Sequence, residues 1–316
     1  MDINKPLGAI DRWQQKRKLS SFTFAVFKKY SEDNGGYQAA LLTYYGFLSL
    51  FPLLLVLVTI IQLWFNNDPL VRHDISTSIK HFFPVLGDQL EHNIHGIRRA
   101  GVGLVIGLLF TMYGARGAAD AFRYTVDNMW QIPKSKRVGF PRNILHSLAI
   151  MGAAAAGFGA TAAISGFTAD LGHATWVKIA VNVAGAGILV IVIGYAFRIA
   201  TAGRLRLRYM LLGATIAAII IQLLLSFGGI IVAHELKNLN SLYGTFAVVL
   251  GMLFWIYLMA QVVLLSAEID TVRHFKLWPR SLTGKYKSEA DDVADQLFCL
   301  TDKYQPNDTL RKRLRL

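Results

Sequence analysis

Residues 41–65 read LLTYYGFLSLFPLLLVLVTIIQLWF, without one charged side chain. A helix needs about 20 predominantly apolar residues to cross the roughly 30 Å hydrocarbon layer of a bilayer, and core helices of soluble proteins seldom carry so long an uncharged run. Five more apolar segments follow, at about 102–122, 144–169, 176–197, 209–233 and 243–267. The pattern predicts an all-α polytopic membrane protein with six transmembrane helices. Residues 1–40 are then a cytoplasmic or interfacial N-terminal segment, 41–268 the six-helix transmembrane domain and 269–316 a cytoplasmic C-terminal tail.

Composition agrees with this class. Charged residues make up 17% of the chain, against roughly 25% in soluble domains. With 53% hydrophobic residues the chain is too apolar to be disordered. A lone cysteine, Cys299, excludes an intramolecular disulfide framework and a cysteine-rich zinc module.

The net charge of +13 fits a nucleic-acid surface or a topology signal equally well until its distribution is read. Lys and Arg number seven before the first apolar run, six between the second and third, four between the fourth and fifth, and ten after the last. These 27 stand against six in the alternate connections. Positive charge is retained on the cytoplasmic side, so both termini are expected there, as an even number of spans requires. The first apolar run begins only after forty residues with no small-residue cleavage site behind it, so no signal peptide is expected. Phe22, Phe24, Val26 and Phe27 interleave with Lys28 and Lys29, which fits a short interfacial helix or a solvated segment.

Two stretches carry a family resemblance. Tyr37-Gln38-Ala39-Ala40, followed by Leu42-Thr43-Tyr44-Tyr45-Gly46-Phe47-Leu48-Ser49-Leu50-Phe51-Pro52-Leu53-Leu54, resembles the first-span signature of the YihY/BrkB family of bacterial inner-membrane proteins. Tyr243-Gly244-Thr245, Phe254-Trp255-Ile256-Tyr257-Leu258 and Ser266-Ala267-Glu268-Ile269-Asp270 resemble its C-terminal signature, with Ser266 where the family usually has Gly. The resemblance runs from Tyr30 to Phe275. It implies six spans and a multi-pass place in the bacterial inner membrane. Members long bore the name ribonuclease BN, an attribution now regarded as mistaken; others are described as virulence or serum-resistance factors, and some are linked to envelope lipid export. No catalytic residue set is established for the family, so none carries over.

The candidate path residues come from charge and helix geometry. Arg116, Asp120, Arg123 and Asp127 are spaced 4, 3 and 4, which puts them within roughly a 60° arc of one helical face, able to pair along it. Arg116 lies about 21 Å into the second span, in its cytoplasmic half. A charge facing lipid there costs at least about 2–3 kcal/mol, so it faces the bundle or snorkels. One reading is a vestibule for an anionic headgroup. The other is a helix emerging into the cytoplasm with self-neutralising surface pairs, which is the expectation for Arg123 and Asp127. Glu268 and Asp270 close the last span and are expected either to pair with Arg116 or with Arg204, Arg206 and Arg208, or to be solvated acids. Pro52 removes a backbone hydrogen bond and is expected to kink or break the first span, which makes Tyr44, Tyr45, Ser49 and Pro52 candidates for lining a cavity. Asn182 and Gln222 read as interhelical packing, and Gly152, Ala156 and Ala160 as a small face for close helix contact.

His92 and His95, three apart in the outer connection with His73 and His81, are a weak metal signal. Ile75, Ile79, Phe82, Phe83 and Leu86 read instead as an amphipathic helix on the outer surface, so no metal and no cofactor is expected. Neither GxxxxGK[ST] nor GxSxG occurs. The expectation is a non-enzyme, a transporter or flippase-like handler of an anionic envelope lipid or amphiphile. Its expected partners are membrane lipids with anionic headgroups and a second copy of the chain, with no nucleic acid. The alternatives are a membrane scaffold for envelope integrity, with a tail holding Asp291, Asp292, Asp295 and Arg311-Lys312-Arg313, and, less favoured, a ribonuclease.

Overall fold

A computed structural model describes residues 11, 13–64, 100–139, 142–170, 175–202, 205–225, 245–282 and 287–302. Among these there is no strand, and the chain is all-helical. Its described helices include α1 Lys18–Glu32, α2 Gly35–Trp64, α3 Ala100–Met129, α4 Arg142–Asp170, α5 Thr175–Ala200, α6 Leu211–Leu225, α7 Thr245–Phe275 and α8 Glu289–Asp302. The described parts of the expected apolar runs lie on α2 to α7, and α3 and α7 continue well past theirs. Among the described residues two stretches, Val183–Ala200 of α5 and Val249–Phe275 of α7, are long and apolar enough to cross a membrane.

Helix ends follow local chemistry. Asn34 takes a left-handed φ of 54°, tolerated by Asn more than by most residues. It turns the chain from α1 into α2 within two residues. Gly35 follows because a Cβ there would overlap the Tyr30 ring. At the end of α3, Gln131 is left-handed (φ 52°) and the Ile132 N–H reaches back to the Asp127 carbonyl at 2.9 Å, closing a Schellman motif. Pro52 does not break α2, which runs as one helix through it; a proline removes a single ladder bond and leaves the rest of the ladder intact.

Close approaches set the packing. Glycines of α3 meet α2 in antiparallel register: a Cβ on Gly114 would lie 2.8 Å from the Ser49 Cβ, and one on Gly117 would overlap the Tyr45 ring. Between α4 and α5 the tight point is Gly157, where a Cβ would come within 2.6 Å of Val192 Cγ2. This corrects the expected small face, because a Cβ on Gly152 meets nothing within 4 Å and Ala156 is exposed. Ala214, Ala217 and Ala218 of α6 are fully buried, which lets α6 sit close against Phe197 and Leu264 in one core. The hydroxyls of Thr43, Thr201 and Ser266 bond the carbonyls four residues back, each at 2.7 Å, the partner available to a hydroxyl on an apolar helix.

The helices also turn large apolar side chains outward: Leu109, Phe110, Val183, Ile191, Ile219 and Leu223 are all exposed. At one end, α1, the end of α7 and α8 build a separate small core from Ala25, Val26, Val272, Leu277 and Ala294. The histidine-bearing outer connection, the terminal basic run and the side chains of Pro52, Asn182 and Ala160 lie outside the described residues.

Candidate functional site

A half-open cavity of about 650 Å³ lies between α2, α3 and the segment leading into α4. That is within the range of ligand sites, about 300–1,000 Å³. Tyr45 enters from α2; Arg116, Asp120, Arg123 and Asp127 line it from α3, and Arg137 comes from the α3–α4 connection. The i, i+4, i+7, i+11 spacing brings the four α3 charges to one face, as expected from the helical period.

Their environments differ. Arg116 is exposed at the rim (53% of its side chain), with Nε 3.7 Å from Asp120. Asp120 accepts the hydroxyl of Ser147 on α4. Arg123 and Asp127 are 5% and 2% exposed, which overturns the reading of these two as solvated surface pairs. Asp127 accepts the Ala202 N–H at 2.7 Å, tying α3 to the turn after α5. Arg123 Nη1 donates to the Asn143 carbonyl at 3.3 Å and lies 3.7 Å from Asp120. Both are buried because the last turns of α3 run into the core that surrounds Val126 and Met129.

Arg137 had no distinguishing sequence signal beyond its place in Lys134-Ser135-Lys136-Arg137. The Schellman turn and a 3₁₀ turn at Lys134–Lys136 fold it back onto α3. There its Nε donates to the Ile132 carbonyl at 3.1 Å and its guanidinium stands 4.9 Å over the Tyr124 ring, a cation–π contact. The cavity thus gathers three arginines against two carboxylates.

The other predicted residues fall elsewhere. Tyr44 is exposed beside Tyr45, edge-on at 5.2 Å. Ser49 sits one turn deeper against Gly114, its hydroxyl on the Gly46 carbonyl at 2.9 Å. Glu268 and Asp270 are buried rather than solvated, and among the described residues neither is within 4.0 Å of a guanidinium nitrogen of Arg116, Arg206 or Arg208; Arg204 lies outside the described residues. Asp270 accepts the Gly213 N–H at 2.8 Å, because α6 and α7 touch at a point where any side chain would overlap the Ser266 carbonyl and the Asp270 carboxylate. Glu268 is fully buried with Lys29 Nζ 3.0 Å away. Lys29 also pairs with Asp33 and donates to the Met129 carbonyl at 2.8 Å. The lysine expected on the polar side of an interfacial helix is instead sealed between α1, α3 and α7. Asp33 is a local i,i+4 partner, but no sequence signal marked Glu268, which lies at the other end of the chain.

The profile of the family described as virulence factor BrkB matches residues 26–285. Among curated proteins, a Bacillus subtilis protein named as ribonuclease-like protein YfkH is 24% identical over 272 residues, covering 80% of this chain and 95% of that relative. A protein of Azotobacter vinelandii named UPF0761 membrane protein is 26% identical over 262 residues, 77% of this chain, which spans 61% of that longer relative. No solved structure matches the chain.

Proposed function

The chain belongs to the BrkB family of membrane proteins, and from that premise we propose that it crosses the inner membrane six times, both termini cytoplasmic, and binds and moves an anionic envelope lipid or similar amphiphile. In this reading α2 to α7 carry the spans, and the length and apolarity of Val183–Ala200 and Val249–Phe275 support it. The 27-to-6 partition of Lys and Arg supports the orientation, and the outward-facing apolar side chains, which in water would form a large sticky patch, support a place in the membrane.

The observation that carries the ligand reading is the cavity: Arg116, Arg123 and Arg137 against Asp120 and Asp127, a local excess of one positive charge. In the proposed orientation it opens at the cytoplasmic end of the bundle, where anionic headgroups of the inner leaflet are within reach. Arg116 admits the headgroup at the rim, while Tyr45 and Tyr113 supply the amphipathic walls found at membrane interfaces. We assign the site no catalytic role; the ribonuclease-like name belongs to the relative. A scaffold role for the C-terminal segment finds less support, because Asp291 faces inward onto Lys28 and Arg280.

The test is movement of a fluorescent phosphatidylglycerol between leaflets of vesicles containing the purified protein. Exchange faster than in protein-free vesicles, slowed by Arg116→Ala, is expected. Rates equal to protein-free vesicles would overturn the reading.

A further inference from the structure

Arg123 and Arg137 reach the same cavity from different elements, and each leaves donors unused. The Arg123 side chain is 6% exposed and its Nε has no acceptor among the described residues. Arg137 spends Nε on the Ile132 carbonyl, while Nη1 and Nη2 are closed off from solvent without an acceptor. Among the described residues no carboxylate lies within 4.0 Å of the Arg137 guanidinium. Asp120 is engaged by Ser147 and Asp127 by the Ala202 N–H. A guanidinium cannot shed its proton, so buried unpaired donors on two of them are costly. An outside acceptor would satisfy these donors.

The geometry narrows that acceptor. A carboxylate offers two oxygens in one plane, which a single guanidinium fork satisfies. Donors coming from two elements at once suit a tetrahedral group with acceptors in several directions. The net charge of the five ionic side chains, three arginines and two aspartates, balances one negative charge. Leu41 and Tyr113 extend the cavity wall onto an outward apolar stripe that Leu109 and Phe110 continue along α3, a track for a hydrocarbon chain attached to the headgroup. We propose that this cavity is a phosphoester site: Arg123 and Arg137 clasp the phosphate of a singly charged phosphate amphiphile, and the Tyr124 ring holds Arg137 in place. The proposal deepens the anionic-amphiphile reading and rests on it.

The experiment uses the full-length protein in detergent and measures binding of four probes: dioctanoyl phosphatidylglycerol, dioctanoylglycerol, dodecanoate and inorganic phosphate. Phosphatidylglycerol is expected to bind at least about tenfold more tightly than the other three, the worth of one charge-assisted hydrogen bond. Arg137→Lys keeps the charge and loses the fork, so it should erase that preference. Arg208→Gln, an exposed arginine at the same end of the bundle but outside the cavity, should stay within about threefold of wild type. Gel filtration and helical circular dichroism establish that Arg137→Lys is folded, and Arg137→Gln serves as a second variant. Dodecanoate binding as tightly as phosphatidylglycerol, with both weakened by Arg137→Gln, would overturn the phosphate assignment and leave the anionic-amphiphile reading standing. Inorganic phosphate binding as tightly as the lipid would support the clasp and overturn the amphiphile reading. Failure of every anionic probe would overturn both.

Discussion

Lys29 Nζ lies 3.0 Å from Glu268 Oε2, with both side chains sealed from solvent. The same ammonium pairs with Asp33 and donates to the Met129 carbonyl, so one charge ties α1, the end of α3 and α7 together. Burial works against the charged lysine, but Glu268 and Asp33 outweigh it and hold its pKa above the ordinary value. With two carboxylates facing one lysine in a dry place, full ionisation would leave an unbalanced negative charge there.

That excess sets an order of severity. Lys29→Met leaves two carboxylates facing each other and is expected to cost about 3–5 kcal/mol, as when one partner of a buried pair is removed. Glu268→Gln removes the excess charge and should cost far less. The midpoint of heat-induced loss of the monodisperse gel-filtration peak reads both; a Glu268→Gln midpoint as low as that of Lys29→Met would contradict this account.

Asp291 makes the docking of α8 depend on acid. Burial raises its pKa, but the N–H groups of Ser281 and Ser288, then Lys28 and Arg280, outweigh this and hold the carboxyl well below the ordinary range. A group depressed in the folded state contributes stability that is complete above its unfolded value, about 3.9, and is lost as pH falls below that value. α8 should therefore stay protected at pH 5 to 7 and begin to loosen only below about pH 4. Asp291→Asn should be loose already at pH 7. Hydrogen exchange of residues 289–302 measures this, and equal protection of variant and wild type at pH 7 would refute it.

Three glycines predict three outcomes. At Gly213 an added Cβ would overlap backbone, the Ser266 carbonyl, so Gly213→Ala forces α6 from α7 and should abolish a stable fold. At Gly117 the obstacle is the Tyr45 ring, a side chain that can tilt; Gly117→Ala should fold but narrow the cavity and weaken ligand binding. At Gly152 there is open space, and Gly152→Ala should be neutral or gain up to about 1 kcal/mol from helix propensity. Yield and thermal midpoint of the three variants give the comparison.

Cys299, the one cysteine of the chain, is exposed on α8, a native reporter of orientation. A membrane-impermeant maleimide is expected to label it in inverted vesicles and not in right-side-out ones. The reverse pattern would invert the proposed topology.

Helix positions were largely legible in the sequence, because an uncharged run of this length has one low-energy solution in an apolar medium, a helix that satisfies its own backbone. The side asymmetry of Lys and Arg needs no partner geometry either. The shared face of Arg116, Asp120, Arg123 and Asp127 followed from the helical period alone. Local pairs followed too, Arg116 and Arg123 each lying 3.7 Å from Asp120, but long-range charge partners did not. Glu268 met Lys29 and Asp270 met the Gly213 N–H because helices far apart in sequence pack there at close range, and Arg280 donates to both Glu32 oxygens, at 2.7 and 2.9 Å, across 248 residues. Arg137 entered the cavity only through the left-handed turn at Gln131. A run of side chains determines what one helix must avoid; which buried charge meets which depends on contacts that exist only once all the helices are in place.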